Sequence, residues 1–232
     1  MERRQFVKAC ALATVASSLP ALAQSNARPK FYHRARLTAP DGKPIRSRNV
    51  PANTNLVFNY PYAGTPCFLL NLGRPVRVEA RLKTADARTY EWSGGVGAND
   101  AIVAYSAICA HKLAYPTREI SFISYRTEQT PTSRFSHVIH CCSEHSQYDP
   151  ARGAKVLAGP APQPLAAILL DYDVARDELW AVGTLGGEMF SDFFEKYAFR
   201  LKLEFRGRAH DPVADQCTVR ELSDYCRQQV KC

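Results

Sequence analysis

Two short stretches of this chain carry the residue types that bind transition metals. Cys109-Ala110-His111 and Cys142-Ser143-Glu144-His145 each offer one thiolate and one imidazole, spaced so that both side chains of a loop can converge. Two cysteines and two histidines could hold a tetrahedral zinc. They could equally hold a two-iron, two-sulfide cluster in which histidine replaces cysteine on one iron. Ligand count alone leaves both open. Cys141 sits beside Cys142, and neighbours on an extended segment point apart. With Cys142 read as the ligand, Cys141 is a structural or free thiol. His137 and His140 read as hairpin residues, and His33 and His210 have no partners near in sequence.

The elements that must position these residues are mainly strands. Phe31 to Leu37 alternates and stops at Ala39-Pro40-Asp41-Gly42, a turn signal. Leu56 to Tyr60, Cys67 to Leu72 and Val76 to Leu82 are further short runs between Pro- and Gly-containing breaks. Ile102 to Ile108 leads into the first cysteine. Ile120 to Tyr125 and Phe135 to Ile139 predict a hairpin around Thr130-Pro131-Thr132, and Leu165 to Leu170 pairs with Leu179 to Val182 across Asp171 to Asp177. Phe190, Phe193, Phe194 and Tyr197 recur at helical spacing, whereas Phe199, Leu201, Leu203 and Phe205 alternate as a strand would. A short helix over about Val219 to Val230 is expected after Thr218 as its N-cap.

At 232 residues with 46% hydrophobic and 22% charged, the chain has the composition of a globular protein with a packed core. Its net charge of +8 is spread out, with no block of five like charges, which fits docking or solubility rather than a nucleic-acid groove. Residues 1–23 read as an address. Arg3-Arg4-Gln5-Phe6-Val7-Lys8 precedes a mildly apolar stretch that ends in Ala21-Leu22-Ala23, small residues at the positions a signal peptidase reads. Paired arginines in this setting mark a twin-arginine export signal and hence the periplasm. The segment is short and weak for a membrane span, so contact with a membrane is expected only if it is retained. Export of an already folded protein suits a cofactor inserted beforehand. Five cysteines besides Cys10 and the two ligand candidates remain, namely Cys67, Cys141, Cys217, Cys226 and Cys232. An oxidising compartment favours pairing, and the C-terminal trio allows a local bridge, but sequence does not assign the pairs.

The segment after the second cluster narrows the choice of metal. Tyr148-Asp149-Pro150 leads through Lys155-Val156-Leu157 to Gly159-Pro160-Ala161-Pro162-Gln163-Pro164-Leu165. This resembles the Rieske iron–sulfur family, in which a Cys-x-His loop and a Cys-x-x-His loop clamp the cluster and a Gly-Pro-Ala-Pro segment covers it. Gly97 to Cys109 is similar to the approach to the first loop in the small subunit of arsenite oxidase and its relatives. The resemblance runs from about Gly94 to Gly183.

It implies a mainly β, Rieske-type β-sandwich over residues 24–205, with a small cluster-binding subdomain at about 94–183 and a short helical extension at 206–232. One [2Fe-2S] cluster is implied, with Cys109 and Cys142 on the inner iron and His111 and His145 on the outer one. Replacing two thiolates by neutral imidazoles removes negative charge and raises the potential, to roughly −150 to +300 mV. Tyr148 would hydrogen-bond a cysteine sulfur, Ser146 is the candidate for a bond to the cluster, and Gly159, Pro160 and Pro162 would form the cover.

This chain departs from the pattern in three ways. Ala114 and Glu144 stand where quinol-oxidising members carry a bridging cysteine pair. Thirty residues separate His111 from Cys142, beyond the usual gap. Ser146-Gln147 before Tyr148 is one residue shorter than usual. The expected function is a periplasmic electron carrier serving a larger oxidoreductase, a c-type cytochrome, or both. The alternatives are a secreted non-redox binding protein with a structural zinc at the same four residues, and the iron–sulfur subunit of a quinol–cytochrome c oxidoreductase. The missing cysteine pair and the weak anchor count against the last. Only His210 follows the third loop, so no room is left for the two-His, one-carboxylate iron domain of an oxygenase.

Overall fold

The structure is a computed structural model that describes residues 26–232, so the proposed export segment at 1–23 lies outside the described residues. Strands dominate, and they form one large and several small sheets. The large sheet has eight strands in the order Gln216–Thr218, Lys30–Thr38, Glu178–Leu185, Ala167–Asp173, Ile102–Ser106, Pro66–Asn71, Leu56–Asn59 and Arg220–Glu221. Its two outermost strands are separated in the chain by Val219 alone, so the edges meet and the sheet curls like a barrel. Closure removes the exposed edge that an open sheet would present.

Period-two alternation splits the apolar residues between two cores. Leu56, Phe58, Cys67, Leu69, Ile102 and Ala104 point to one side, with Leu37, Leu179 and Cys217. Val57, Phe68, Leu70, Val103 and Tyr105 point to the other, which continues through Cys109, Ile139, Cys141 and Tyr148 into the half that carries the two Cys/His loops. The strand Ile102–Ser106 is buried on both faces, so the first ligand loop leaves from a fixed base.

A second sheet carries the rest of the site. Its four strands run in the order Lys155–Ala158, Ser146–Asp149, Val138–Cys141 and Ile123–Arg126, all antiparallel. The hairpin expected around Thr130 to Thr132 is therefore present, with Ile123 opposite Cys141 and Arg126 opposite Val138.

Two helices follow, α1 (Phe190–Lys196) and α2 (Ala198–Glu204). The strand expected over Phe199 to Phe205 is α2 instead. Tyr197 donates to Phe193, Leu201 to Tyr197 and Phe205 to Leu201 through backbone N–H groups at 2.9–3.0 Å, an i to i−4 ladder that continues α1. Phe193, Tyr197, Leu201 and Phe205 lie on one stripe against Ile108, Leu113 and Tyr115 of the first ligand loop. Phe199 and Leu203, 77% and 65% exposed, lie off that stripe. The helix expected over Val219 to Val230 shrinks to the single turn α3 (Leu222–Tyr225). The rest of residues 206–232 is turns, irregular backbone and the three short strands Gln216–Thr218, Arg220–Glu221 and Gln228–Gln229, so the extension is not mainly helical. Among the described residues no helix is long and apolar enough to cross a membrane.

Candidate metal centre

The first loop is a tight turn at the end of the strand Ile102–Ser106. The backbone N–H of Cys109 donates to Ala114 at 2.8 Å and that of Leu113 donates to Cys109 at 2.9 Å, with Leu113 at φ +60°. The second loop, residues 142–145, is the four-residue connection of the hairpin in which Cys141 faces Ser146. Its last residue, His145, takes φ +57°, and the N–H of Cys142 donates to Phe122 at 2.6 Å. The third loop lies directly against the second. Gly159 sits at φ +85°, and a Cβ there would come within 2.5 Å of Ser146 Cα and 2.6 Å of the His145 carbonyl. Only glycine allows this approach.

The cysteine that meets Cys109 is Cys141, not Cys142. Both Cys109 and Cys141 are buried at 1% exposure or less, in one core with Ile139 and Tyr148, and their thiols lie close enough to couple. The Cys141 thiol, aided by Tyr148 and the backbone N–H groups of His111 and Lys112, pulls the Cys109 thiol down to about 6. Cys141 is pushed up in turn by Cys109 and by burial, while the N–H groups of Ser143 and Glu144 point to its sulfur. The Tyr148 hydroxyl lies 3.3 Å from Cys109 Sγ and accepts from the Ala110 N–H at 3.2 Å. Burial keeps Tyr148 protonated, so its own proton goes to the sulfur.

Cys142, the first residue of the loop, forms a disulfide with Cys232 across 90 residues of sequence instead. Its sulfur is not available as a thiolate, and the expectation that Cys142 is a ligand is corrected. The C-terminal trio likewise makes no local bridge, since Cys217 and Cys226 are free and buried. Sequence contained the signal for the right register. One residue is gained between Cys141 and His145 and one is missing between His145 and Tyr148. The span from cysteine to tyrosine is thus unchanged if Cys141 is the ligand.

The histidines occupy the rim. His111 is half-buried, and its Nδ1 is buried with no hydrogen-bond partner. His145 is exposed, its ring 5.7 Å from that of His140. Ring nitrogens of His140 and His145 and the sulfur of Cys232 lie within 4.8 Å of one another, but that sulfur is engaged in the disulfide. Burial, with Arg126 and His145 nearby, holds His140 neutral, down to about 4. Ser146 Oγ is likewise buried without a partner, as is the Tyr115 hydroxyl, which packs against Phe193 and Tyr197. Buried polar groups are almost always satisfied. A metal at His111 Nδ1 and an inorganic sulfide acceptor at Ser146 Oγ would supply what both lack, so the residues present fit a cluster. Of the remaining histidines, His210 stacks on Phe194 at 3.8 Å, His33 lies beside Asp215 and His137 lies edge-on to Tyr125.

No family model matches this chain. Among solved structures it is similar to the soluble domain of the Rieske protein II (soxF) from Sulfolobus acidocaldarius. The identity is 25% over 68% of this chain and 82% of that one, with a TM-score of 0.47.

Proposed function

We propose that this chain is a Rieske-type electron carrier holding one [2Fe-2S] cluster, with Cys109 and Cys141 on the inner iron and His111 and His145 on the outer one. The observation that carries this reading is the buried Cys109–Cys141 pair, with the Tyr148 hydroxyl beside Cys109 Sγ, on loops that also carry two partnerless buried polar atoms. Such a cluster would supply one-electron chemistry. The chain's own part is to bury the two thiolates, aim donors at them, and leave the imidazole edges at the surface. The exposed His145 and half-buried His111 give an electron a short way out to a docked partner. The partner we propose is a larger oxidoreductase, of the arsenite oxidase kind or another, with a c-type cytochrome as acceptor. The paired Arg3-Arg4 and the apolar stretch after them support a periplasmic site of action.

Metal analysis tests the reading. Purified protein is expected to hold two irons and two acid-labile sulfides per chain and, when reduced, to give a rhombic electron paramagnetic resonance signal. One zinc and no labile sulfide would replace the electron carrier by a structural zinc protein.

Tyr148 should tune the potential. Its hydroxyl opposes negative charge at Cys109, and a hydrogen bond to a charged group contributes on the order of 1.5–3 kcal/mol. Only the difference between redox states counts, and about 1 kcal/mol corresponds to roughly 40 mV for one electron. Tyr148→Phe is expected to lower the midpoint by some tens of millivolts with iron content unchanged, as voltammetry at one pH would show. An equal midpoint in both proteins would leave the hydroxyl a packing group.

A further inference from the structure

The chain beyond α3 does not trail off; it is laced onto the metal-binding half. Arg227 and Gln228 donate backbone N–H bonds to Arg118 and Glu119 at 2.9 and 3.1 Å. Gln228–Gln229 then pairs in parallel with Ile120–Ser121, and the Val230 N–H donates to Ser121 at 2.9 Å. Arg126 closes the seam, its guanidinium donating to the Val230 carbonyl and lying 3.6 Å from Cys142 Sγ. Cys232 ends the run in its bridge to Cys142, with its sulfur 3.6 Å from both ring nitrogens of the buried His140. The residues it binds, 118–126, belong to the extra length between the two ligand loops. The bridge lands one residue from Cys141 and opens the loop that ends in His145. Neither Cys142 nor Cys232 is fully buried, so a small reductant can reach the bond.

We propose that the C-terminal tail is a redox-sensitive latch on the second metal-binding loop. Closed by the Cys142–Cys232 bridge, it holds the hairpin that presents Cys141 and His145. A dithiol that delivers two electrons and two protons converts the bridge to two thiols, is itself oxidised to a disulfide, and frees the loop to open. The latch rests on the reading that Cys141 and His145 bind the metal.

The test compares full-length protein with Cys232→Ser and with the double variant Cys142→Ser/Cys232→Ser. Two quantities are read, the decay of cluster absorbance in excess ferrous chelator and amide hydrogen exchange at residues 120–122 and 138–146. Local opening governs both. Cys232→Ser should lose its cluster at least about tenfold faster and exchange faster at both segments, and dithiothreitol should do the same to the wild type. The double variant should match Cys232→Ser within about twofold, because both changes remove one bond, and it should ignore dithiothreitol. Wild-type decay and exchange in Cys232→Ser would overturn the latch. If Cys232→Ser does not fold, dithiothreitol on the wild type decides alone, and unchanged exchange there overturns it. Wild-type protein without iron or sulfide would refute the metal reading, while exchange at the two segments would still decide the latch.

Discussion

Cys141→Ser should leave the purified protein without its cluster, whereas Cys142→Ser should keep it. Cys141 ends the strand Val138–Cys141 and Cys142 opens the loop after it, and their sulfurs meet different partners, Cys109 and Cys232. Cys141 is wholly buried against Cys109, in reach of the N–H groups of Ser143 and Glu144. Cys142 is bonded to Cys232 on the far side. A serine at 141 would remove a soft thiolate from the enclosed iron site we propose, and metal binding free energy is part of the folding free energy of such a site. Iron in Cys141→Ser should therefore fall below about a tenth of the wild-type content, with the hairpin around it loosened. Cys142→Ser removes only the bridge, so iron as isolated should stay near the wild-type content while stability falls by about 2–4 kcal/mol. Iron and sulfide analysis of the two proteins, prepared side by side, reads the difference. Retention of the cluster by Cys141→Ser together with its loss from Cys142→Ser would return the ligand role to Cys142.

That pair of residues also shows how far sequence carries. The two-loop constellation, the mainly β fold, the hairpin at 120–139 and the place of Tyr148 were all legible, because each rests on short-range spacing or on period-two alternation. The register of the second loop was legible only when counted from Tyr148. Counting back from His145 by the usual spacing lands on Cys142, while counting back from Tyr148 lands on Cys141. A hairpin can absorb one extra residue at its tip but cannot shift its paired strands without turning every side chain over. The strand-borne Tyr148 is thus the better anchor than the loop-borne His145. The Cys142–Cys232 bridge was out of reach for another reason: it joins residues 90 apart, and no local pattern encodes such a contact. Phe199 to Phe205 misled because residues two apart alternate in type by chance, while the decisive spacing was fourfold, from Phe193 through Tyr197 and Leu201 to Phe205.

Gly159→Ala should be among the most damaging single-methyl additions this chain can receive. Two costs fall together at that position. The backbone is at φ +85°, a region that costs an L-residue about 1–2 kcal/mol. A Cβ would also stand 2.5 Å from Ser146 Cα, 2.6 Å from the His145 carbonyl and 2.7 Å from the Ser146 nitrogen. These are backbone atoms of a paired strand and cannot rotate aside, so the third loop must lift from the second at an overpacking cost of about 1–3 kcal/mol. The sum is about 2–5 kcal/mol. Gly42 separates the two contributions, because it has nearly the same φ, +81°, with nothing within 4 Å of its would-be Cβ. Gly42→Ala should show only the backbone cost, about 1–2 kcal/mol. Denaturant midpoints of the two variants against wild type, at matched iron content, measure the difference. The excess at Gly159 is the contact energy by which the Gly159-Pro160-Ala161-Pro162 segment seats on the second loop. Its loss should bare Ser146 and the edge of the metal site to solvent. Equal losses at the two glycines would mean that the third loop moves away at no cost and does not cover the site.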